Sequence, residues 1–215
     1  MPVREIRANA RSLTGVHADS GKRGIAYESS LERDFITLML FDRNTVSVEE
    51  QPVAVPVPGA IGRASTYVTD FIVDRRVGAP ILVEVKYADE LKEKAKEYER
   101  RFAAAKQFAS RRGWKFEIWT EKEIRTVQFE NAQFLLPYRH EFVREQVRAS
   151  ILQSLSDNKN RFTVDGLVNQ LGKNLEAKGK VLRTIWCLIA IGIINVDMTQ
   201  TIDMETSITI SSGSK

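Results

Sequence analysis

One cysteine in 215 residues, Cys187, excludes an internal disulfide and fits a reducing compartment. It sits inside the apolar run TIWCLIAIGIINV with no His or Asp placed to activate a thiolate, so it reads as a core side chain. Histidine is scarce as well. His17 and His140 have no partners at metal-ligand spacing and read as surface residues. Long apolar runs are missing: the longest, Ile185 to Ile194, has ten residues, against the roughly 20 of a membrane span, and predicts a buried helix. The leading stretch MPVREIRANARSLTG lacks the apolar core of a signal peptide. Internal repeats and low-complexity tracts are absent. These absences lead us to expect a cytoplasmic protein with no membrane partner.

What is present is an ordinary globular composition, 43% hydrophobic and 28% charged, with a net charge of +4. The length allows one medium domain or two small ones. The basic excess is local. Residues 1–26 hold five Lys/Arg (Arg4, Arg7, Arg11, Lys22, Arg23) against two acids. A basic leading arm of this kind suits phosphate contacts, with Lys22 and Arg23 as candidate DNA-binding residues; a merely disordered terminus is the alternative.

Periodicity orders the rest. In YESSLERDFITLMLFD, Leu31, Phe35, Leu38 and Met39 recur at helical spacing behind a possible cap at Ser29 or Ser30. TVSVEEQPVAVPVPG alternates and is β-branched, and reads as one strand ending near an edge. STYVTDFIVD and PILVEVK are two further strands. From Leu91 to Ala105 apolar residues step by three and four along one long helix, which Gly113 ends, and WKFEIWT is a fourth strand. The order α-β-β-β-α-β over residues 27–120 predicts a small mixed α/β sheet flanked by helices. Near residues 126–139 clear periodicity is lost and Pro137 occurs, which places a domain boundary there and divides the chain into 1–126 and 127–215. The second part reads as three helices and a hairpin, the outline of a winged helix. Lys178, Lys180 and Arg183 open its third helix, where a recognition helix would meet DNA. Protein docking is the competing role for such a domain.

Three charges interrupt the apolar strands: Asp70, Glu84 and Lys86. Buried charges are costly unless paired or bound to an ion. Glu84 and Lys86 are two apart and share a sheet face. Strands lie about 4.8 Å apart, so Asp70 can converge on Glu84 if the register allows. Glu32, on the first helix, is a third acid, with Glu28 one turn earlier as its substitute. Carboxylates held together repel unless a cation lies between them. Such a set suits metal-assisted phosphodiester hydrolysis, with oxygen ligands for Mg²⁺ or Mn²⁺. The alternative is a solvated sheet face with salt bridges. Gln51 could position a water or a phosphate, or simply bond within a turn.

The fold order together with Asp70 and Glu84-Val85-Lys86 resembles the PD-(D/E)xK nuclease superfamily. More closely, YESSLERDFITLMLFD, EEQPVAV, YVTDFIV and LVEVK resemble TnsA, the endonuclease subunit of heteromeric transposases, over roughly residues 22–125. The resemblance implies a restriction-endonuclease-like αβββαβ core with a C-terminal winged-helix domain. It makes Glu32, Asp70, Glu84 and Lys86 the catalytic set, with Glu32, Asp70 and Glu84 as ligands of two Mg²⁺ (or Mn²⁺) ions. It further implies cutting of the 5′, non-transferred strand at transposon ends in double-stranded DNA. A TnsB-like transposase and a TnsC-like ATPase regulator would be partners, and the protein would be prokaryotic and nucleoid-associated when active. Thr69 stands where the family often has proline, and Glu84 where some members have glutamine. Two other functions are open: a stand-alone restriction- or resolvase-like nuclease, and a non-catalytic DNA-binding or assembly subunit.

Overall fold

A computed structural model of the chain describes residues 15–17, 24–59, 65–157 and 162–211. The arm residues Arg4, Arg7, Arg11, Lys22 and Arg23 lie outside these. The chain divides into two compact units, Met1–Thr126 and Val127–Lys215.

The first unit opens with a short antiparallel ribbon, β1 (Gly15–His17) and β2 (Ile25–Tyr27). Helix α1 (Ser30–Phe41) follows, and Ser29 caps it by accepting from the Glu32 amide. Next come β3 (Thr45–Glu50), β4 (Ala54–Val57), β5 (Ser65–Val68), β6 (Phe71–Arg75) and β7 (Ile81–Val85). Helices α2 (Ala88–Glu93) and α3 (Ala95–Ser110) lead to β8 (Lys115–Trp119) and the single-turn α4 (Glu121–Ile124). The central sheet has the order β3-β6-β7-β8, antiparallel except for the parallel pair β7–β8 joined through α3. The mixed α/β class and the central mixed sheet agree with the sequence pattern.

Alternation along β7 divides the packing between the two faces. Val83 and Val85 join Leu31, Phe35, Ile36 and Met39 of α1 and Phe71 and Val73 of β6 in one core. Phe35 stacks on Phe71, and Trp119 meets its edge at 5.4 Å. On the other face, Val55, Val57 and Tyr67 of the β4–β5 hairpin pack with Ala105 and Phe102 of α3. Since successive strand residues point to opposite faces, Glu84 and Lys86 belong to this second side.

The structure corrects several expected elements. The single strand read within residues 45–59 is broken: β3 pairs with β6 in the central sheet, whereas β4 leaves to pair with β5. The reading of 65–74 as one strand fails at the same level, and Asp70 lies in the break, not on a strand. Between the paired rungs Glu50–Phe71 and Ala54–Val68, one strand carries residues 51–53 and the other only 69 and 70. The extra residue makes a bulge and bends the arm. Gln51 absorbs the bend with φ +44, and its amide donates to the Asp70 carbonyl at 2.7 Å. Pro52 next to it has no amide to continue a ladder. The long helix expected after β7 is also broken, at Lys94, where α2 ends and α3 begins.

In the second unit, the stretch that had lost its periodicity is helix α5 (Val127–Leu135), followed by a 3-10 turn, Leu136–His140. Buried Asn131 explains the weak pattern. Its amide nitrogen donates to the carbonyls of Met198 (3.0 Å) and Gln200 (2.7 Å), and its oxygen accepts from the Ile202 amide. Then come α6 (Glu145–Asp157), β9 (Phe162–Thr163), α7 (Val164–Leu171), α8 (Leu175–Ala190), β10 (Ile194–Asn195) and β11 (Ser207–Ile210). Thr163 caps α7 and Gly172 ends it. The strands form an antiparallel sheet in the order β10-β11-β9. Ile151, Leu167, Ile185, Leu188, Ile194 and Ile208 fill the core, and Cys187 is buried in it. No helix among the described residues is long and apolar enough to cross a membrane.

Candidate active site

The bend at Gln51 and Asp70 lies where the start of β6 meets the end of β7. Asp70 accepts the Val85 amide on Oδ2 at 2.8 Å, which fixes its carboxylate across the strand gap. Lys86 Nζ lies 3.1 Å from the same oxygen and 2.7 Å from Glu84 Oε1, and it also donates to the Val85 carbonyl. One ammonium therefore bridges two carboxylates. Glu84 is buried, with 2% of its side chain exposed, whereas Asp70 and Lys86 reach solvent at 20% and 19%. Glu84 Oε2 is buried with no hydrogen-bond partner.

Glu32 approaches from the start of α1. Its Oε2 accepts the Glu28 amide at 2.7 Å and its Oε1 the Ser29 hydroxyl at 3.0 Å, so both oxygens serve the helix start. It is still close enough to Asp70 for the two charges to repel. Glu28 adds its charge on Asp70 as well. Gln51 is buried and contributes its backbone amide to Asp70.

The electrostatics follow from this crowding. Burial, then the Asp70 charge, pushes Glu84 up to about 7, against the pull of Lys86. Burial and Asp70 also push Glu32 up to about 7. Burial raises Asp70, although Lys86 and the Val85 amide oppose it. Burial alone would lower Lys86, but Asp70 and Glu84 outweigh it and raise its pKa, so the ammonium stays charged. Several acids thus share one cationic side chain, an arrangement that favours an added cation.

The oxygen donors suit a hard divalent cation, and the unpartnered Glu84 Oε2 is a free ligand atom beside Asp70. Among the described residues no group of three or more His, Cys, Asp or Glu side chains is gathered to hold a metal. Two features explain this: Glu32 turns its oxygens to the helix start, and the Lys86 ammonium stands between Asp70 and Glu84. The structure therefore brings together Asp70, Glu84 and Lys86, with Glu32 beside them.

The cations expected at the start of α8 are engaged within their own unit. Lys178 donates to Asn169 at 2.7 Å, Lys180 pairs with Glu176, and Arg183 lies 3.7 Å from Glu141.

Sequence reasoning missed a neighbouring cluster. Buried Asp34 binds Arg33 at 2.8 Å and Arg125 at 2.9 Å, and Arg125 also donates to Ser30 and lies over the Tyr87 ring. This ties α1 to the segment after α4 beside the candidate site. The available signal was an acid among the apolar positions of α1. Tyr67 was missed too, although it lies three residues before Asp70. Its buried hydroxyl lies next to Glu84 but stops short of hydrogen-bond geometry.

Comparison with known families fits this geometry. Residues 42–121 match the family described as TnsA-like endonuclease N terminal, and residues 123–198 match TnsA endonuclease C terminal. The first match contains Gln51, Asp70, Glu84 and Lys86; Glu32 precedes it. No curated protein matches the chain. The two matches follow one another along most of the sequence, and the chain belongs to the TnsA endonuclease family.

Proposed function

We propose that the protein is a metal-dependent DNA endonuclease that cuts the 5′, non-transferred strand at the ends of a transposon, beside a separate transposase that processes the 3′ ends. The observation that carries this reading is the convergence of Asp70, Glu84 and Lys86 at the bend between two strand pairs. The central sheet with α1 and α3 serves as a restriction-endonuclease-like core. The second unit, with its three helices and small sheet, serves as a winged-helix module for DNA or for a partner. A TnsC-like ATPase regulator completes the assembly.

Asp70 and Glu84 would hold Mg²⁺ or Mn²⁺, with Glu32 joining them if its carboxylate leaves the helix start. Bound there, the cation would supply charge neutralisation at the phosphate and a more acidic water. The protein's own side chains do the positioning. The Val85 amide fixes one Asp70 oxygen and leaves the other for a ligand. Lys86, held charged by its acids, presents a proton donor and a positive charge to a phosphodiester oxygen. The buried wall behind Glu84 keeps bulk water from one side of the centre.

Strand mapping tests this reading. DNA carrying the cognate transposon end, labelled separately on each strand, is incubated with the protein, the transposase and Mg²⁺. The expected products are a 5′-strand break that is absent with Asp70→Ala and a 3′-strand break that needs the transposase. Breaks on the 3′ strand in a reaction without transposase would overturn the assignment. Cutting of both strands by the protein alone would favour the stand-alone nuclease.

A further inference from the structure

Two buried polar atoms in this region are unsatisfied. Tyr67 is 8% exposed, and neither its hydroxyl nor Glu84 Oε2 has a hydrogen-bond partner. The hydroxyl nevertheless lies beside the Glu84 carboxylate, near enough to influence its charge.

The Tyr67 ring is held in place. It packs against Phe102 at 6.4 Å, and Phe102 stacks on Tyr98 at 5.0 Å with the rings parallel. Within this aromatic group a phenylalanine would fill the same volume. A buried hydroxyl without a partner destabilises the fold, because it gives up water and receives nothing in return. Packing therefore does not account for the oxygen, whereas the adjacent carboxylate does. In such a pair Tyr67 donates and Oε2 accepts.

We propose that Tyr67 is a positioning residue for Glu84: its hydroxyl holds Oε2 and so fixes the direction in which the carboxylate presents its remaining electron pairs to a divalent cation. This rests on the reading of Asp70 and Glu84 as the cation site. Lys86 holds Oε1 from the solvent side and Tyr67 holds Oε2 from the core side, so Glu84 is clamped at both oxygens. Neighbours of this kind set the orientation of a ligand without touching the metal.

The test is calorimetric titration of Mn²⁺ into the full-length wild type, Tyr67→Phe and Asp70→Ala, with thermal melts of all three. Tyr67→Phe should weaken Mn²⁺ binding about 10-fold, with an unchanged or higher melting temperature, and Asp70→Ala should abolish binding. The Mn²⁺ concentration for half-maximal DNA cleavage should rise in parallel, with little change in the rate at saturation. Wild-type affinity in Tyr67→Phe, with binding lost in Asp70→Ala, would overturn the Tyr67 assignment alone. Wild-type affinity in Asp70→Ala would remove the cation site and the assignment with it. A merely structural Tyr67 would lower the melting temperature and leave the affinity unchanged, which also counts against the proposal.

Discussion

Lys86 Nζ lies 2.7 Å from Glu84 Oε1, two positions back along the chain, and this pair sets a buried carboxylate against a cation at the lip of the site. Replacing Lys86 with Met keeps the aliphatic stem and removes the charge. Glu84 and Asp70 then repel without a counter-charge. We expect a loss of about 1–3 kcal/mol, the usual effect of leaving a buried polar group unpartnered. Denaturant unfolding at pH 8 measures it, and DNA cleavage should be lost in the same variant. Unchanged stability would mean that Glu84 is compensated from elsewhere.

The acids also predict how stability depends on pH. Glu84 is raised from 4.5 to about 7, so the folded state holds its proton more tightly than the unfolded state. Stability from this group is present at low pH and lost as pH rises from 4.5 toward 7. Glu32 behaves alike. Glu84→Gln removes one of these titrations. The melting temperature of the wild type should therefore fall relative to Glu84→Gln across this window and stay below it by a constant offset above the window. A difference that is constant from pH 4.5 to 8 would contradict the raised value.

Gln51 predicts an inverted preference. Alanine normally exceeds glycine in stability, but at φ +44 a side chain is strained by roughly 1 kcal/mol or more. Gln51→Gly and Gln51→Ala both remove the side chain and keep the amide that bonds Asp70. Only glycine relieves the strain. Gln51→Gly should be the more stable of the two by about 1 kcal/mol, as read by thermal unfolding. The reverse order would place the bend's strain elsewhere.

Asn131 predicts an effect confined to the second unit. It satisfies two carbonyls and one amide in the segment around residues 198–202. Asn131→Ala strands all three, and we expect a cost of about 1–3 kcal/mol. Hydrogen exchange should show faster exchange at the Ile202 amide, with the amides of β6 and β7 unaffected.

These residues also mark how far the sequence could be read. Local signals were legible: the cap at Ser29, the Thr163 and Gly172 limits of α7, the periodic face of α1 and the apolar run of α8. The meeting of Asp70 with Glu84 and Lys86 was legible because Glu84 and Lys86 share one face at period two and the neighbouring chain segment lies one strand spacing away. The broken strands were not, since alternation runs unchanged through Gln51 and Asp70 while the pairing partner changes. Helix α5 was hidden because its inward face carries Asn131, which serves a distant segment, in place of a regular apolar stripe. The Tyr67 hydroxyl, the Asp34–Arg125 pair and the turning of Glu32 to its own helix start arise only from tertiary packing. The roles of the basic residues are likewise not written in their positions: Lys178 and Lys180 stand at a helix start and are taken by Asn169 and Glu176.

The central claim is that Asp70 and its neighbours form a nuclease centre. The most direct measurement is cleavage of cognate-end DNA, with the transposase supplied, by wild type and by Asp70→Ala of confirmed fold, each with Mg²⁺ and with EDTA. We predict a 5′-strand break with the wild type in Mg²⁺ and not in EDTA, and no 5′-strand break with Asp70→Ala. A 5′-strand break with Asp70→Ala at the wild-type rate, or one with the wild type that persists in EDTA, would contradict the account.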